Sequence, residues 1–506
     1  MKKVVSKAHS APYIIHKYFA RRPYNVFEEL IKSNSVEGDV IYDPFAGGGV
    51  TVYEGLRLNR NVIGNDLNPL SHFIISGMLQ KTGGRYFDDT VMSLLDNIKK
   101  IAYRYSSITC PCGEKAIPEM SEGTFVVECP SCKYDMDFSN SSKIKTAKYK
   151  CCHCDEEHMA YHCKRKSLKY LSVKYRCSCS SSMLSKDLSL DECAEIDHRT
   201  SLLQQKCKRD NVQLISEEIP EFWDRQAEDG LKKKGISNFN QLFTRRNFLI
   251  NCYLLHRIRS SDIPLKTKRN LRLIFSSSLK DTSLMSLTTK GWQQEKPITW
   301  SKHAFWIPSQ FCEVSVLWSF ERAVKRFRSS VEYSSENLPD FRVYHSTRNK
   351  GGVDNLSVTL LNQDSSKVKL KSDSVDLILT DPPYGSNVQY NELSSYWNIW
   401  NSDIYKFNLY ESEEAVVNRK KNIPNRKDYL FYEEKLAQIM LNNFRVLKNN
   451  SCMILTFNNN DYRAWFSILS AISRAGFDLE ADEVRFQAGV RNYKKTAHTI
   501  SEGTIH

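Results

Sequence analysis

The sequence predicts an α/β protein with a Rossmann-like core that is interrupted by a long insertion. Two apolar strands indicate the core, because one leads into a glycine loop near residue 47 and the other into Asp-Pro-Pro-Tyr at residues 381–384. Four closely spaced cysteine pairs between them indicate the insertion. At 506 residues the chain exceeds what one hydrophobic core usually organises, so two or three domains are expected.

The composition is that of a globular protein. Hydrophobic residues make up 41% and charged residues 26%, which argues against a disordered or fibrous chain. No run approaches about 18 apolar residues and no secretory signal is visible at the N-terminus, so we expect a cytoplasmic protein without membrane contact. Lys and Arg number 72 and Asp and Glu 58, a net charge of +14 that suggests a polyanionic partner. Residues 241–350 hold most of this excess, with 19 basic and 8 acidic side chains.

A glycine loop comes after the first apolar strand. Residues 39–51 read Asp-Val-Ile-Tyr-Asp-Pro-Phe-Ala-Gly-Gly-Gly-Val-Thr, and a second strand, residues 61–64, ends in Asn65-Asp66-Leu67-Asn68-Pro69. Glycines allow the backbone to approach a ligand, and Asp66 is placed to accept hydrogen bonds from ribose hydroxyls. The loop lacks the Lys-Ser/Thr of a phosphate loop, which argues against a nucleoside triphosphatase.

The second constellation begins with the apolar strand from Val375 to Thr380 and continues as Asp381-Pro382-Pro383-Tyr384. Two prolines after an acid hold the carboxylate and the neighbouring carbonyl groups in place, with an aromatic ring beside them. A strand-to-loop turn would also carry proline. The glycine loop at the end of another strand favours a shared site instead.

Eight of the 15 cysteines form four close pairs, which is the ligand spacing of structural zinc. Successive pairs predict one zinc ribbon from Cys110, Cys112, Cys129 and Cys132 and a second from Cys151, Cys154, Cys177 and Cys179. Four thiolates close the coordination sphere, so about two structural zinc ions are expected. In the second site, a nominal ligand could be replaced by any of five neighbours: Cys152, His153, His158, His162 and Cys163.

Basic residues lie beside aromatic ones at helical spacing in residues 238–259, 266–279 and 315–327. Such helices suit contact with nucleic-acid phosphates, although part of their apolar surface must pack against a core. Arg245 and Arg246 fit a phosphate contact and a helix-surface charge equally well.

These features divide the chain into four segments. We expect the first part of the core in residues 1–85, two zinc ribbons in 105–215, a basic helical region in 216–350 and the second part of the core in 351–506. The basic helical region is the candidate for nucleic-acid contact and in part belongs with the core.

Together the motifs resemble S-adenosylmethionine-dependent DNA amino-methyltransferases that carry an Asp-Pro-Pro-Tyr motif. They look most like the adenine-specific DNA methylase family that contains a zinc ribbon. The resemblance is carried by residues 21–31, 43–51, 64–69, 242–246, 380–390 and 445–457. It implies a methyltransferase core with a mostly parallel, seven-stranded sheet.

The resemblance also assigns residues to the cofactor and to the reaction. S-adenosylmethionine would be bound by Asp43, Pro44, Phe45, Ala46, Gly47, Gly49, Thr51, Asp66, Leu67, Asn68 and Asp364. In this set Asp66 would bind the ribose, and Asp364 would lie near the adenine. The catalytic residues would be Asp381, Pro382, Pro383 and Tyr384. The Asp381 carboxylate and the Pro382 carbonyl would accept hydrogen bonds from the target amine, while Tyr384 stacks on the target base.

The function that this resemblance implies is methylation of the exocyclic amino group of adenine in DNA, with the target base flipped out of the duplex. Three alternatives stay open: methylation of cytosine N4 in DNA, methylation of a guanine amino group in tRNA or other RNA, and a catalytically idle zinc-ribbon protein that binds nucleic acid. Double-stranded DNA is the expected partner, and RNA is less favoured. A partner protein from a restriction or defence system is a further expectation.

Overall fold

The computed structural model describes residues 4–139, 141–145, 148–288, 297–346 and 356–480. The predicted second part of the core extends to residue 506, so its last 26 residues, 481–506, lie outside the described residues. No membrane-spanning helix is present in the described ranges.

The chain forms two compact units. The first comprises the residues up to Thr82, Phe327–Asn398 and the residues from Ser402 onwards, and the second comprises Gly83–Arg326 with Ile399–Asn401. The first unit is called the sheet unit below, and the second the cysteine unit.

The strands and helices of the described residues are numbered in chain order. The strands are β1 (Val40–Asp43), β2 (Asn61–Asn65), β3 (Ile108–Thr109), β4 (Lys115–Ala116), β5 (Pro118–Glu128), β6 (Asp135–Asp137), β7 (Ser142–Lys145), β8 (Lys148–Lys150), β9 (Glu157–Met159), β10 (Lys164–Tyr175), β11 (Leu184–Asp187), β12 (Gln310–Val314), β13 (Phe341–Tyr344), β14 (Leu356–Leu361), β15 (Val375–Thr380) and β16 (Leu447–Leu455). The α-helices are α1 (Ala11–Ile14), α2 (Tyr24–Asn34), α3 (Val50–Arg57), α4 (Pro69–Met78), α5 (Phe87–Ser106), α6 (Leu190–Arg209), α7 (Asp224–Glu228), α8 (Arg245–Ser260), α9 (Leu265–Thr282), α10 (Val316–Asn337), α11 (Tyr390–Asn398), α12 (Tyr429–Val446) and α13 (Tyr462–Arg474).

The sheet unit is built on a six-stranded sheet with the order β13-β14-β2-β1-β15-β16. Every neighbouring pair is parallel, with Ile41 opposite Leu377 and Val62 opposite Val358 near the centre. The predicted α/β class and the parallel sheet are confirmed. The described residues contribute six strands to this sheet instead of the predicted seven, and they end at residue 480, shortly after α13.

The central strands are buried on both faces, which explains their uninterrupted apolar sequences. Ile41, Tyr42, Leu377 and Ile378 are all inaccessible to solvent. Because parallel strands have their carboxyl ends at one edge, the segments after β1, β2 and β15 meet there. The strand order also reverses at this point, since β2 lies on one side of β1 and β15 on the other. Open parallel sheets bind ligands at such a reversal.

The cysteine unit contains an antiparallel sheet in which β5 and β10 are the long central strands. Their pairing runs from Lys164 opposite Glu128 to Tyr175 opposite Pro118. The start of β5 therefore lies beside the end of β10, and the end of β5 beside the start of β10. This register determines which of the flanking cysteines meet.

A buried ion pair links α8 to β12 within the cysteine unit. Arg246 Nε donates to Glu313 over 3.0 Å, and the two side chains are only 3% and 4% exposed. The Tyr170 hydroxyl donates to the same carboxylate over 2.7 Å. Both predicted roles of Arg246, phosphate contact and surface charge, are therefore wrong, because the side chain points into the unit. Its neighbour Arg245 is exposed.

Candidate functional site

A cavity of about 420 Å³ lies at the carboxyl edge of the six-stranded sheet. Small-molecule sites in proteins typically measure about 300 to 1,000 Å³. Most residues predicted for the cofactor and the reaction line this cavity: Asp43, Phe45, Ala46, Gly47, Thr51, Asp66, Leu67, Asn68, Asp364, Asp381 and Pro383. Four predicted residues do not line it: Pro44, Gly49, Pro382 and Tyr384. The cavity thus brings together residues that are up to 340 positions apart in the sequence.

The glycine loop needs its glycines for two different reasons. Gly47 and Gly49 adopt left-handed backbone conformations, with φ of 48° and 78°. Gly48 instead provides space, because a Cβ atom there would lie 2.5 Å from Nε of Arg21. The loop ends at Gly49, which caps the N-terminus of α3.

Asp66 holds the glycine loop in place. Its carboxylate accepts hydrogen bonds from the backbone N–H of Gly47, over 2.7 Å, and of Asn68, over 2.8 Å. Burial raises the pKa of Asp66 to about 6, although these two hydrogen bonds oppose the shift. Each oxygen keeps a lone pair, so the carboxylate can still accept a hydrogen bond from a ligand.

Asp43, at the end of β1, lines the same cavity and is hydrogen-bonded to β15. It accepts hydrogen bonds from the Thr380 hydroxyl over 2.7 Å and from the Phe45 N–H over 3.0 Å. Burial raises the pKa of Asp43 to about 7. The carboxyl group of Asp43 is therefore readily protonated near neutral pH.

Asp364 forms an ion pair with a lysine that the sequence interpretation did not include. Lys435 of α12 donates to its carboxylate over 2.6 Å and to Glu413 over 2.5 Å. Burial would raise the pKa of Asp364, but the hydrogen bonds from Lys435 and Ser366 outweigh it and hold the pKa below its ordinary value. Asp364 is therefore a charged member of the cavity wall.

Asp381 lies at the end of β15 and accepts hydrogen bonds from three side chains. Arg22 Nε donates over 2.8 Å and Thr456 Oγ1 over 2.6 Å, and the Tyr384 hydroxyl is the third donor. Burial raises the pKa of Asp381, and the guanidinium of Arg22 opposes that shift. A carboxylate has about four acceptor positions, so one remains for another donor.

The Asp-Pro-Pro-Tyr segment is fixed by its neighbours. The carbonyl of Pro383 accepts from the Tyr432 hydroxyl over 2.6 Å, and that of Tyr384 accepts from Asn459 over 2.9 Å. Among the described residues, none donates to the carbonyl of Pro382. The ring of Tyr384 packs edge-on against Phe457 and lies 4.8 Å from the guanidinium carbon of Arg22.

Several residues of this site have no assigned role in the sequence interpretation. They are Tyr18, Arg21, Arg22, Tyr390, Glu414 and Lys435. Arg21 and Arg22 stand in a segment that the resemblance includes, and two adjacent arginines before a proline are the one sequence signal that could have drawn attention to them. The others have no such signal, because only the fold brings them to the cavity or to Asp364.

The eight predicted cysteine ligands form two four-thiol groups in the cysteine unit. Cys110, Cys112, Cys177 and Cys179 make one group, and Cys129, Cys132, Cys151 and Cys154 make the other. The choice of eight cysteines agrees with the structure, but the predicted grouping of successive pairs is wrong. The antiparallel register explains the difference, since the cysteines before β5 meet those after β10, and the cysteines after β5 meet those before β10.

The thiol separations match a tetrahedral metal site. Sγ–Sγ distances are 3.7 Å for Cys110–Cys179 and 3.6 Å for Cys112–Cys177. In the other group, Cys129–Cys154 and Cys132–Cys151 are both 3.8 Å apart. Zinc–sulfur bonds of about 2.3 Å in a tetrahedron require about 3.8 Å between sulfurs, so the donor set and its size fit zinc.

None of the alternative ligands joins either four-thiol group within the described residues. Cys163 is buried, and its thiol is directed to the carbonyl of Met159, 3.7 Å away. Nε2 of His158 lies 3.4 Å from Cys129 Sγ. His153 stacks on Tyr134, with ring centroids 4.8 Å apart.

Comparisons with known proteins support the predicted resemblance at the N-terminus. Residues 2–74 match the sequence model of a family described as DNA methylase. Over 88 residues the chain is 28% identical to the Type II methyltransferase M.MjaII of Methanocaldococcus jannaschii, an alignment that covers 17% of this chain and 17% of that protein. No solved structure matches the chain. The resemblance to DNA amino-methyltransferases is thereby confirmed, and its matched segment includes the glycine loop, Asp66 and both Arg21 and Arg22.

Proposed function

We propose that the protein transfers a methyl group from S-adenosylmethionine to the exocyclic amino group of adenine in DNA. The observation that carries this proposal is the convergence of the glycine loop, Asp66 and Asp381 on one cavity. The first two suit a nucleoside cofactor, and the third suits an amine at the point where that cofactor would react. The DNA methylase match over residues 2–74 supports the same assignment.

The residues around Asp381 are suited to activate an aromatic amine. Such an amine is a poor nucleophile because its lone pair is delocalised into the ring. The free acceptor position of Asp381, which lines the cavity, can accept one amine N–H, which favours a pyramidal nitrogen and stabilises the positive charge that develops on it. The carbonyl of Pro382 is proposed as the second acceptor, although Pro382 does not itself line the cavity. Arg22, Tyr384 and Thr456 hold the carboxylate in position for this contact.

The cavity wall fits S-adenosylmethionine, which supplies an activated methyl group as a sulfonium. Asp66 retains acceptor capacity for ribose hydroxyls, and Asp364 lies farther along the same wall. Loop glycines permit close approach of the ligand. Alignment of the amine with the methyl donor then depends on how the sheet holds the glycine loop relative to the end of β15.

The target base must leave the duplex to reach this cavity, because an exocyclic amine inside a base pair is inaccessible to such a pocket. Contact with DNA phosphates is proposed for exposed basic side chains of α8, α9 and α10, namely Arg245, Arg257, Lys266, Arg269, Arg322 and Lys325. Arg246 and Arg272 are excluded from this set, because both are buried.

The proposal of adenine over cytosine depends on the acid at the start of the motif. Cytosine N4 enzymes often carry serine at this position, whereas this chain has Asp381. The two four-thiol groups are proposed to bind structural zinc, since four thiolates leave no open coordination position for a substrate.

The test is methylation of plasmid DNA and of total tRNA with radiolabelled S-adenosylmethionine, followed by identification of the labelled nucleoside. N6-methyladenine in DNA is the expected product. N4-methylcytosine would refute the adenine assignment, label confined to tRNA would refute the DNA substrate, and absence of label from both would refute the enzymatic function.

Asp381→Ala tests the site itself. We expect methyl transfer to fall by at least about 100-fold while binding of S-adenosylmethionine persists, because the substitution removes a contact to the reacting amine and not to the cofactor. Asp340→Ala is the matched control, since Asp340 belongs to the same unit and its side chain is fully exposed. Equal methylation rates of the two variants would contradict the assignment of Asp381.

A further inference from the structure

Arg21 combines burial with missing partners. Its Nη1 donates to the carbonyls of Tyr13 and His16, the latter over 3.4 Å. Nε and Nη2 are buried and have no hydrogen-bond partner among the described residues. Buried N–H groups of a guanidinium that have no acceptor are unfavourable. Two such groups, Nε and Nη2 of Arg21, at a cavity therefore point to an anionic ligand.

The position of Arg21 identifies the part of the cavity where that anion would lie. Its side chain lies directly against Gly48, where a Cβ would be 2.5 Å from Nε and 3.2 Å from Cγ. Arg21 also lines the cavity itself. Next to it, α3 begins at Val50, so the positive end of this eight-residue helix adds to the attraction for an anion.

The adjacent arginine differs from Arg21 in having a carboxylate partner, although its own Nη2 is also buried without one. Arg22 is bonded to a carboxylate of the protein, Asp381, over 2.8 Å. Arg21 has no carboxylate within bonding distance among the described residues, and the groups that raise its pKa are the hydroxyls of Tyr13 and Tyr18. Burial is the larger influence and lowers the pKa of Arg21 to about 10, so the side chain is still charged at neutral pH.

We propose that Arg21 binds the carboxylate of the methionine part of S-adenosylmethionine through Nε and Nη2. This inference rests on the proposed function. The cofactor has one anionic group, and a guanidinium edge matches a carboxylate in shape as well as in charge. Arg21 thus fixes the end of the cofactor that is remote from its adenine. Arg22 instead donates to Asp381, the proposed acceptor for the target amine.

The test compares two ligands that differ only in the carboxylate: S-adenosylmethionine and its decarboxylated form. Their dissociation constants are measured by calorimetry for the wild-type protein and for Arg21→Met. We expect the substitution to weaken binding of S-adenosylmethionine by about 10-fold to 100-fold, the usual range for a charge-assisted contact, and to leave the decarboxylated ligand within about twofold. Arg463→Met, an exposed arginine of the same unit, should change neither constant.

Each other outcome overturns the inference. If Arg21→Met weakens both ligands equally, Arg21 supports the fold of the loop and does not bind the carboxylate. If neither ligand is affected and binding of DNA falls instead, Arg21 contacts a phosphate of the nucleic acid. If the wild-type protein binds S-adenosylmethionine normally in either case, the proposed function stands and only the role of Arg21 is refuted. Absence of binding to the wild-type protein would refute both.

Discussion

Both units of this protein bury charged side chains, and they differ in whether those side chains line the cavity of about 420 Å³. In the cysteine unit, Arg246 is neutralised by Glu313, and Asp281 is neutralised by Lys280 and Arg326. In the sheet unit, Asp66 and Asp381 keep acceptor capacity, and Arg21 keeps two donors without partners. Buried charges that are paired internally support the fold, whereas those left incomplete at a cavity indicate a ligand. Donors without partners do not by themselves separate the units, because Nε and Nη1 of Arg165 in the cysteine unit are also buried without a partner. The difference is that Arg21 lines the cavity and Arg165 does not.

The two proposed zinc sites provide the largest expected effect and test how the cysteine unit is organised. The wild-type protein should contain about two zinc ions, each contributing about 10 to 16 kcal/mol of apparent binding free energy. A Cys110→Ser/Cys177→Ser double variant should retain about one ion, because both residues belong to one four-thiol group. A Cys110→Ser/Cys129→Ser double variant should retain almost none, since it damages both groups.

Metal content measured by atomic emission distinguishes the two groupings. If successive pairs formed the sites, the two double variants would show the reverse pattern. Cys452→Ser is the control, because Cys452 is exposed and lies in the sheet unit. Its metal content should equal that of the wild-type protein.

The two adjacent arginines of α8 test whether a buried arginine contributes more to stability than an exposed one. Arg246→Met should destabilise the cysteine unit by about 3 to 5 kcal/mol, because it leaves the Glu313 carboxylate buried without its cation. Arg245→Met should change stability by less than about 0.5 kcal/mol, since Arg245 is exposed. Urea unfolding that is monitored by tryptophan fluorescence gives both values. Equal unfolding midpoints for the two variants would show that the buried Arg246 contributes no more to stability than the exposed Arg245.

The pH dependence of methylation tests Arg22 in the sheet unit. Burial raises the pKa of Asp381 above 3.8, and Arg22 limits this rise. The proposed reaction needs the ionised carboxylate of Asp381, so we expect activity to be lost as the pH falls through that pKa. Arg22→Met removes the nearby positive charge, and the acidic limb of kcat/KM should move to higher pH. Thr456→Val should move it in the same direction by less, and an unchanged limb in Arg22→Met would contradict the coupling.

The last prediction concerns stability and Asp43. Its pKa is about 7 in the folded protein and 3.8 ordinarily, so protonation favours folding. The stability that it contributes is fully present below about pH 4 and is lost as the pH rises to about 7. Asp43→Asn should remove this dependence, so the difference in urea midpoint between wild type and variant should change across that window. Parallel pH profiles would indicate that Asp43 does not titrate with a raised pKa.

The strand ends were predictable because local sequence determines them. Mainly apolar runs before Asp43 and Asp381 are typical of buried strands of a parallel sheet, and the residues after such strands lie together at one edge. The glycines at 47 and 49 likewise reflect backbone conformations that other residues rarely adopt. These features explain why most predicted site residues line one cavity.

The partners of those residues could not be predicted in the same way. Arg22 and Asp381 are 359 positions apart, and Asp364 and Lys435 are 71 apart. No spacing rule connects such residues, because their approach depends on how helices and loops pack over the sheet. The charge count of residues 241–350 has a related limit, since it does not distinguish the exposed Arg245 from the buried Arg246.

Residue types and their spacing identified the chemical groups: eight thiols that could hold metal, glycines for a close-approach loop, and acids after buried strands. Tertiary structure decided which groups meet. The antiparallel register of β5 and β10 interleaves the cysteine pairs that are successive in the chain. Packing at the carboxyl edge of the parallel sheet gives Arg22 a carboxylate and leaves two donors of Arg21 without one. Both outcomes depend on long-range pairing and burial, which motif spacing along the chain does not reveal.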